Sequence, residues 1–194
     1  MVRYAAKRMG TRIEIYICHD LLRFDDAATT LVRLDSVLPA AIAVRDYWRS
    51  VGPGTYQLER WEAEPVRPRL PDLRRYSGPG SLYLTVTRAA ARISVGGRWR
   101  GFLSIEPLRQ VHLVAFHAIA RAMGSSTMMM CADVRDDVAD VFIANGSQAQ
   151  CIAQVRSAIG PPQPSVDVLT PEVVAQAEHG VPPVWFLERV AAAE

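Results

Sequence analysis

The run from Glu106 to Met123 most constrains the fold. It places Leu108, Val111, Leu113, Val114, Ala115, Ile119, Ala122 and Met123 around more of a helix than one neighbouring helix can cover. An apolar surface this broad predicts a central helix lying on a β-sheet. Pro107 suits its first turn, and Gly124 is a natural residue to end it. Directly after it, Thr127–Cys131 reads TMMMC, a short and wholly apolar run expected of a strand buried on both faces. A helix and a strand of this kind need more strands beside them, and the chain supplies those upstream.

Thr11–Cys18 alternates Ile13, Ile15 and Ile17 with Arg12, Glu14 and Tyr16, the period of a half-buried strand. Leu82, Leu84 and Val86 repeat the pattern in Ser81–Arg88, and Ala91–Val95 repeats it again. Thr55–Glu62 is a further candidate strand, and Val184–Val190 is expected as a last strand or edge segment. Gly96-Gly97, between Ala91–Val95 and Arg98–Ser104, predicts a hairpin turn, because glycine adopts the positive φ such turns need. Helices are expected after Asp25 and Asp26 and over Ala40–Ser50, with Pro39 between them. Others are expected over Asp133–Phe142, over Ser147–Ile159 with Ser147 as cap, and from Thr170-Pro171-Glu172. Residues 65–80 hold Pro65, Pro68, Pro71 and Pro79 with Arg67, Arg69, Arg74 and Arg75, which predicts an irregular Pro/Arg-rich surface loop. Strands clustered in the middle, a helical C-terminal third and no βαβ rhythm give an α+β fold, residues 1–194 as one domain with a mainly antiparallel sheet.

The composition agrees with a globular chain. Among 194 residues, 49 % are apolar and 22 % charged, which excludes a disordered chain, a collagen-like fibre and a disulfide scaffold. Cys18, Cys131 and Cys151 lie far apart among apolar neighbours and are expected as small buried hydrophobes in a reducing cytoplasm. No apolar run reaches the length of a membrane helix, and the basic stretch Met1–Gly10 lacks the apolar core of a secretory signal. The expected location is cytoplasmic, with no cofactor, no metal and no membrane partner.

Charge is divided unevenly along the chain. Residues 1–132 carry nineteen basic and eleven acidic side chains, and residues 133–194 carry three basic and nine acidic. One fold can thus present a basic and an acidic face, either attracting each other or forming a polarised binding surface. The sharpest pattern is Asp133, Asp136, Asp137 and Asp140, spaced so that a helix sets all four on one stripe. Three uses of that stripe compete. Asp133 can cap the helix while Asp136 and Asp137 complement its dipole. The stripe can meet a basic partner, or it can hold a divalent cation through oxygen ligands. Asp140 lies too far along for capping.

Other chemistry is less well supported. His112 and His117 are five residues apart on one helix, about 140° around it, so they do not form a metal pair. His19 and His179 stand alone. No serine lies in a nucleophile elbow, and no glycine-rich segment carries a P-loop lysine. Arg60–Arg100 holds nine arginines with Trp61, Tyr76, Tyr83 and Trp99 among them, a composition that can bind single-stranded nucleic acid. Strand alternation sets several of those rings inward, and four acids lie close by, which makes nucleic acid the less favoured partner.

The stretches HLVAFHAIARAMGSS, DVRDDVADVF and CIAQVRSAIGPPQPS, in a compact chain with polarised charge and no enzyme motif, resemble the immunity proteins of bacterial polymorphic-toxin and contact-dependent systems. The resemblance implies a non-enzymatic protein that binds and neutralises one cognate toxin carrying a basic surface. Asp133, Asp136, Asp137 and Asp140 would then face that surface, with Trp185 and Phe186 as exposed aromatic anchors. The alternatives are a small metal-dependent hydrolase using the Asp133–Asp140 stripe with His112 or His117, and an arginine-rich nucleic-acid binder.

Overall fold

A computed structural model describes residues 12–52, 58–132, 136–167, 169 and 184–190, with the backbone alone at Gly97 and Asp136. Its strands are β1 (Arg12–Ile17), β2 (Glu62–Ala63), β3 (Arg74–Gly78), β4 (Leu82–Val86), β5 (Ala91–Arg98), β6 (Thr127–Ala132) and β7 (Trp185–Arg189). Its helices are α1 (Ala27–Asp35), α2 (Leu38–Val51), α3 (Trp99–Ser104), α4 (Glu106–Ala122), α5 (Asp136–Ile143) and α6 (Gln148–Ile159). The strands form one sheet in the order β2-β3-β4-β5-β1-β6-β7, and every neighbouring pair is antiparallel. The fold is α+β with an antiparallel sheet packed by helices, as the patterning predicts.

The first strand of the chain lies deep in the sheet, between β5 and β6. Its alternation assigns side chains to two different cores. Ile13, Ile15 and Ile17 join Leu84, Ile93, Met130 and Phe186 on the face packed by Leu34, Val44, Phe116 and Ile119 of α1, α2 and α4. Tyr16 joins Met129 and Trp185 on the opposite face, under Val138 and Phe142 of α5 and Cys151 and Val155 of α6. β1 is therefore buried on both sides from Ile13 onward rather than half-buried. The correction has a physical cause: α5 and α6 cover the polar half of the alternation, and Glu14 and Tyr16 satisfy each other beneath them.

The expected Gly96-Gly97 hairpin does not form. Arg12 pairs with Arg98 and the next residue, Ile13, with Val95, so the two glycines bulge out of a continuous β5. Residues 99–104 then turn into α3 instead of a strand, burying Trp99, Phe102 and Leu103. The real hairpin joins β4 to β5 through Arg88 and Ala89, closed by the Ala90 carbonyl accepting from the Thr87 backbone N–H at 2.9 Å. The expected loop at 65–80 is also shorter, since Arg74–Gly78 is a sheet strand paired on both edges. Its alternation is short and its flanking prolines lie just outside the paired residues. Within Thr55–Glu62, residues 55–57 lie outside the described region, and the strand seen there is only Glu62–Ala63. The helix expected from Thr170 and the residue His179 also lie outside it.

One glycine is required by packing. Gly80, at φ +69°, sits in the turn Pro79–Ser81 against α2, and a Cβ there would lie 2.8 Å from the Arg45 backbone nitrogen. The cysteines are unpaired, Cys131 and Cys151 buried and Cys18 half-buried with its sulfur 3.1 Å from the Ser125 hydroxyl. Among the described residues no single helix is long and apolar enough to cross a membrane.

Candidate functional site

α5 is placed by what its inner face buries. Val138 and Phe142, one turn apart, enter the second core, and the Phe142 ring meets Tyr16 edge-on at 5.6 Å. The other side of the helix is left outward, which sets Asp140 in solvent and exposes Ile143. Asp137 turns toward α6, where its carboxylate accepts from the Gln154 side chain at 2.8 Å and from the Val138 backbone N–H at 3.1 Å. Asp133 lies outside the described residues, and of Asp136 only the helical backbone is described. The four aspartates are therefore not equivalent: Asp137 ties two helices together, while Asp140 points away from the protein.

α6 is held firmly beneath that face. Ser147 caps it with a reciprocal box, accepting from the Gln150 N–H while the Gln150 side chain accepts from the Ser147 N–H. Gln148, buried at the first turn, donates to the Tyr16 carbonyl at 2.9 Å and to the Thr127 carbonyl at 3.0 Å. It closes off backbone acceptors of β1 and β6 and locks the helix pair to the sheet. Nothing in the local pattern distinguishes this glutamine from a surface one.

Beneath the helices lies a polar floor. Glu14 is 7 % exposed, and it accepts from the Tyr16 hydroxyl at 2.6 Å and from the Arg92 guanidinium at 2.8 Å. Burial first, then the Glu14 charge, raises the Tyr16 phenol far above its ordinary range, so it stays a neutral donor. The Arg92 guanidinium also lies over the Phe142 ring at 5.3 Å. A cavity of about 10 Å³ opens between Glu14, Tyr16, Val138 and Val155, the space of one water molecule and too small for a substrate. The signal for this floor is Glu14 and Tyr16 two apart on a strand, which puts acid and phenol on one face.

The expected aromatic anchors are corrected. Trp185 is 1 % exposed and Phe186 is fully buried. Adjacent residues of β7 point to opposite faces, and both faces are covered here. Trp185 fills the second core and donates its indole N–H to the Gly160 carbonyl at 3.0 Å, and Phe186 packs in the first core beside Trp99. Neither ring is available to a partner in this structure.

His112 lies on the other side of the sheet from α5, among Trp48 and Phe116. The Asp stripe and His112 are thus not brought together. Among the described residues no three His, Cys, Asp or Glu side chains converge to hold a metal ion. His112 Nδ1 donates to the Leu108 carbonyl at 2.7 Å, and Nε2 is buried without a hydrogen-bond partner. Burial lowers its pKa from the ordinary 6.5 to about 4. The folded state therefore resists protonation in a range where the unfolded chain takes a proton. Its contribution to stability is full above pH 6.5 and falls by about 3 kcal/mol as the pH drops toward 4. Urea denaturation at pH 7 and pH 4.5 is expected to show this loss in the native chain and a smaller one in His112→Gln. Equal losses in both would assign the acid sensitivity elsewhere.

In the arginine-rich segment, Trp61, Tyr76 and Trp99 are buried, and the half-buried Tyr83 lies under Arg75 at 4.6 Å. Arg60, Arg67, Arg75, Arg88 and Arg92 are ion-paired with Glu62, Glu64, Glu64, Asp72 and Glu14 respectively. Arg88, at the tip of the β4–β5 hairpin, is a junction. Its guanidinium pairs with Asp72 at 2.7 Å and stacks on the Phe24 ring at 5.0 Å, and its backbone N–H donates to the Asn145 side chain at 2.9 Å. Two hollows flank it: one of about 190 Å³ between residues 69–73 and Ile143, and one of about 370 Å³ along residues 21–25.

No family model, curated protein or solved structure matches the chain.

Proposed function

We propose that this chain is a protein-binding module of the immunity type, which neutralises a cognate toxin in the bacterial cytoplasm by covering a basic surface on it. The observation that carries this reading is the outward face of α5, which holds Asp140 in solvent on a helix anchored by two buried side chains and by α6. An acidic side chain on a rigid element can speed association and reject partners of the wrong charge. The surplus of acids in residues 133–194 and the immunity-protein resemblance support the same reading. The aromatic anchors of the simplest version are replaced, since Trp185 and Phe186 serve the two cores.

The test takes the product of the gene directly upstream, where this reading expects a toxin, and titrates it calorimetrically against the natural chain and Asp140→Asn. The substitution is expected to weaken binding about tenfold at low salt, through a slower association rate, and by much less at high salt. Unchanged affinity at low salt would remove the acidic face from the contact. No heat of binding from the natural chain would remove the function.

A further inference from the structure

We infer that the loop after β1 is where this chain pairs with a second copy of itself, about a two-fold axis that seats Leu22 of each copy in a hollow of the other. Leu22 is the most exposed large apolar side chain among the described residues, standing wholly in water. Its neighbours do the opposite, since Leu21 and Phe24 pack against the first core. The loop is fixed on both sides of it. His19 Nε2 donates to the Thr87 carbonyl at 2.8 Å, and its Nδ1 accepts from the Leu21 backbone N–H at 3.3 Å. Asp26 caps α1, accepting from the Thr29 N–H at 3.1 Å. A side chain carried on so anchored a loop loses little freedom when a partner covers it.

The contents of the patch choose the occupant. Beside Leu22 a hollow of about 370 Å³ is lined by the half-buried Leu21 and Phe24 and by the exposed Arg23, Asp25 and Arg88. Its charges cancel: Arg23 pairs with Asp25 at 3.6 Å, and Arg88 with Asp72 at 2.7 Å. A strongly basic or strongly acidic partner therefore meets a like charge as readily as an opposite one. The fitting partner brings an apolar side chain with a cation and an anion beside it. That is the make-up of Leu22-Arg23-Phe24-Asp25 itself. Protruding side chain, hollow and both charges lie on one patch, which is what an isologous contact requires of a surface that must complement its own copy. Across the axis, Arg23 of each copy faces Asp25 of the other. Both are open enough to exchange partners, their side chains being 77 % and 41 % exposed. The contact is independent of the toxin reading, and its test needs this chain alone.

Sedimentation velocity over a concentration series reads it, after a thermal melt of each variant. The natural chain is expected to pass from one copy to two between about 1 µM and 1 mM. Leu22→Asp is expected to raise the dissociation constant about a hundredfold and Leu22→Ala about tenfold, as at a central contact residue. Val114→Asp, at another exposed apolar position, is expected to leave it unchanged. Arg23→Glu and Asp25→Arg are each expected to weaken pairing about tenfold, since either one sets like charges across the axis twice. An equimolar mixture of these two variants is expected to pair as the natural chain does, because the mixed dimer sets opposite charges together at both contacts. A natural chain that stays a single copy throughout the series would overturn the pairing, as would a dimer indifferent to Leu22→Asp. A dimer lost in both charge variants and not regained on mixing them would overturn the two-fold arrangement.

Discussion

Phe186→Ala is expected to cost about 4 kcal/mol of folding stability and to leave the partner affinity of the folded fraction unchanged. The ring is fully buried, packed against Trp99 at 6.0 Å, in a strand that pairs with β6. Its removal opens a void in the face of the sheet covered by α1 to α4, far from the outward side of α5. A loss of that size is a large share of the 5–15 kcal/mol typical of a folded domain. Urea denaturation followed by tryptophan fluorescence reads the loss, and calorimetry on samples kept well below the new midpoint reads the affinity. A normal midpoint with weakened binding of the proposed toxin would return Phe186 to the role of an exposed anchor. The same pair of measurements on Asp140→Asn is expected to give the opposite result, with stability kept and low-salt affinity for the proposed toxin weakened about tenfold.

The contrast between Phe186 and Asp140 marks where the sequence is legible. Period-two alternation locates β1, β4 and β5, a wholly apolar run locates β6 and a broad helical face locates α4, because burial of apolar side chains is local in its pattern. The reading goes astray where tertiary context decides. Gly96-Gly97 has the chemistry of a turn, yet β1 continues alongside it and the pair becomes a bulge. Residues 74–78 lie between prolines, yet they pair with β4 along their length and with β2 at Tyr76 and Ser77. A wholly apolar VWF is equally compatible with an exposed anchor and a strand covered twice, and only the presence of α5 and α6 settles it. The site divides in the same way. Spacing predicts the aspartates on one helix, but the pairing of Asp137 with Gln154 depends on α6 lying beside it. Glu14 and Arg92 are far apart in sequence and meet through strand register, since Tyr16 opposes Arg92 across the β1–β5 pair.

That meeting makes Glu14→Ala the second large effect, about 4 kcal/mol of lost stability. The carboxylate accepts from the Tyr16 hydroxyl at 2.6 Å and from Arg92 at 2.8 Å. Truncation leaves a buried phenol without its acceptor and takes the carboxylate from a guanidinium whose side chain is 19 % exposed. Neither group regains full hydration, so the cost exceeds the net worth of the bonds removed. Glu14→Gln keeps an acceptor oxygen in place and is expected to lose less than half as much. The damage should also be unequal across the fold. The polar floor supports α5 and α6, whereas α1 to α4 rest on Ile13, Ile15 and Ile17 of the opposite face. Hydrogen exchange on Glu14→Ala is therefore expected to show the amides of α5 and α6 losing protection before those of α4. Affinity for the proposed toxin should fall with them, because the outward face bearing Asp140 is then less often in place. Uniform loss of protection in both layers would mean that the sheet and its two helical coverings open as a unit, and that α5 is not held by the floor beneath it.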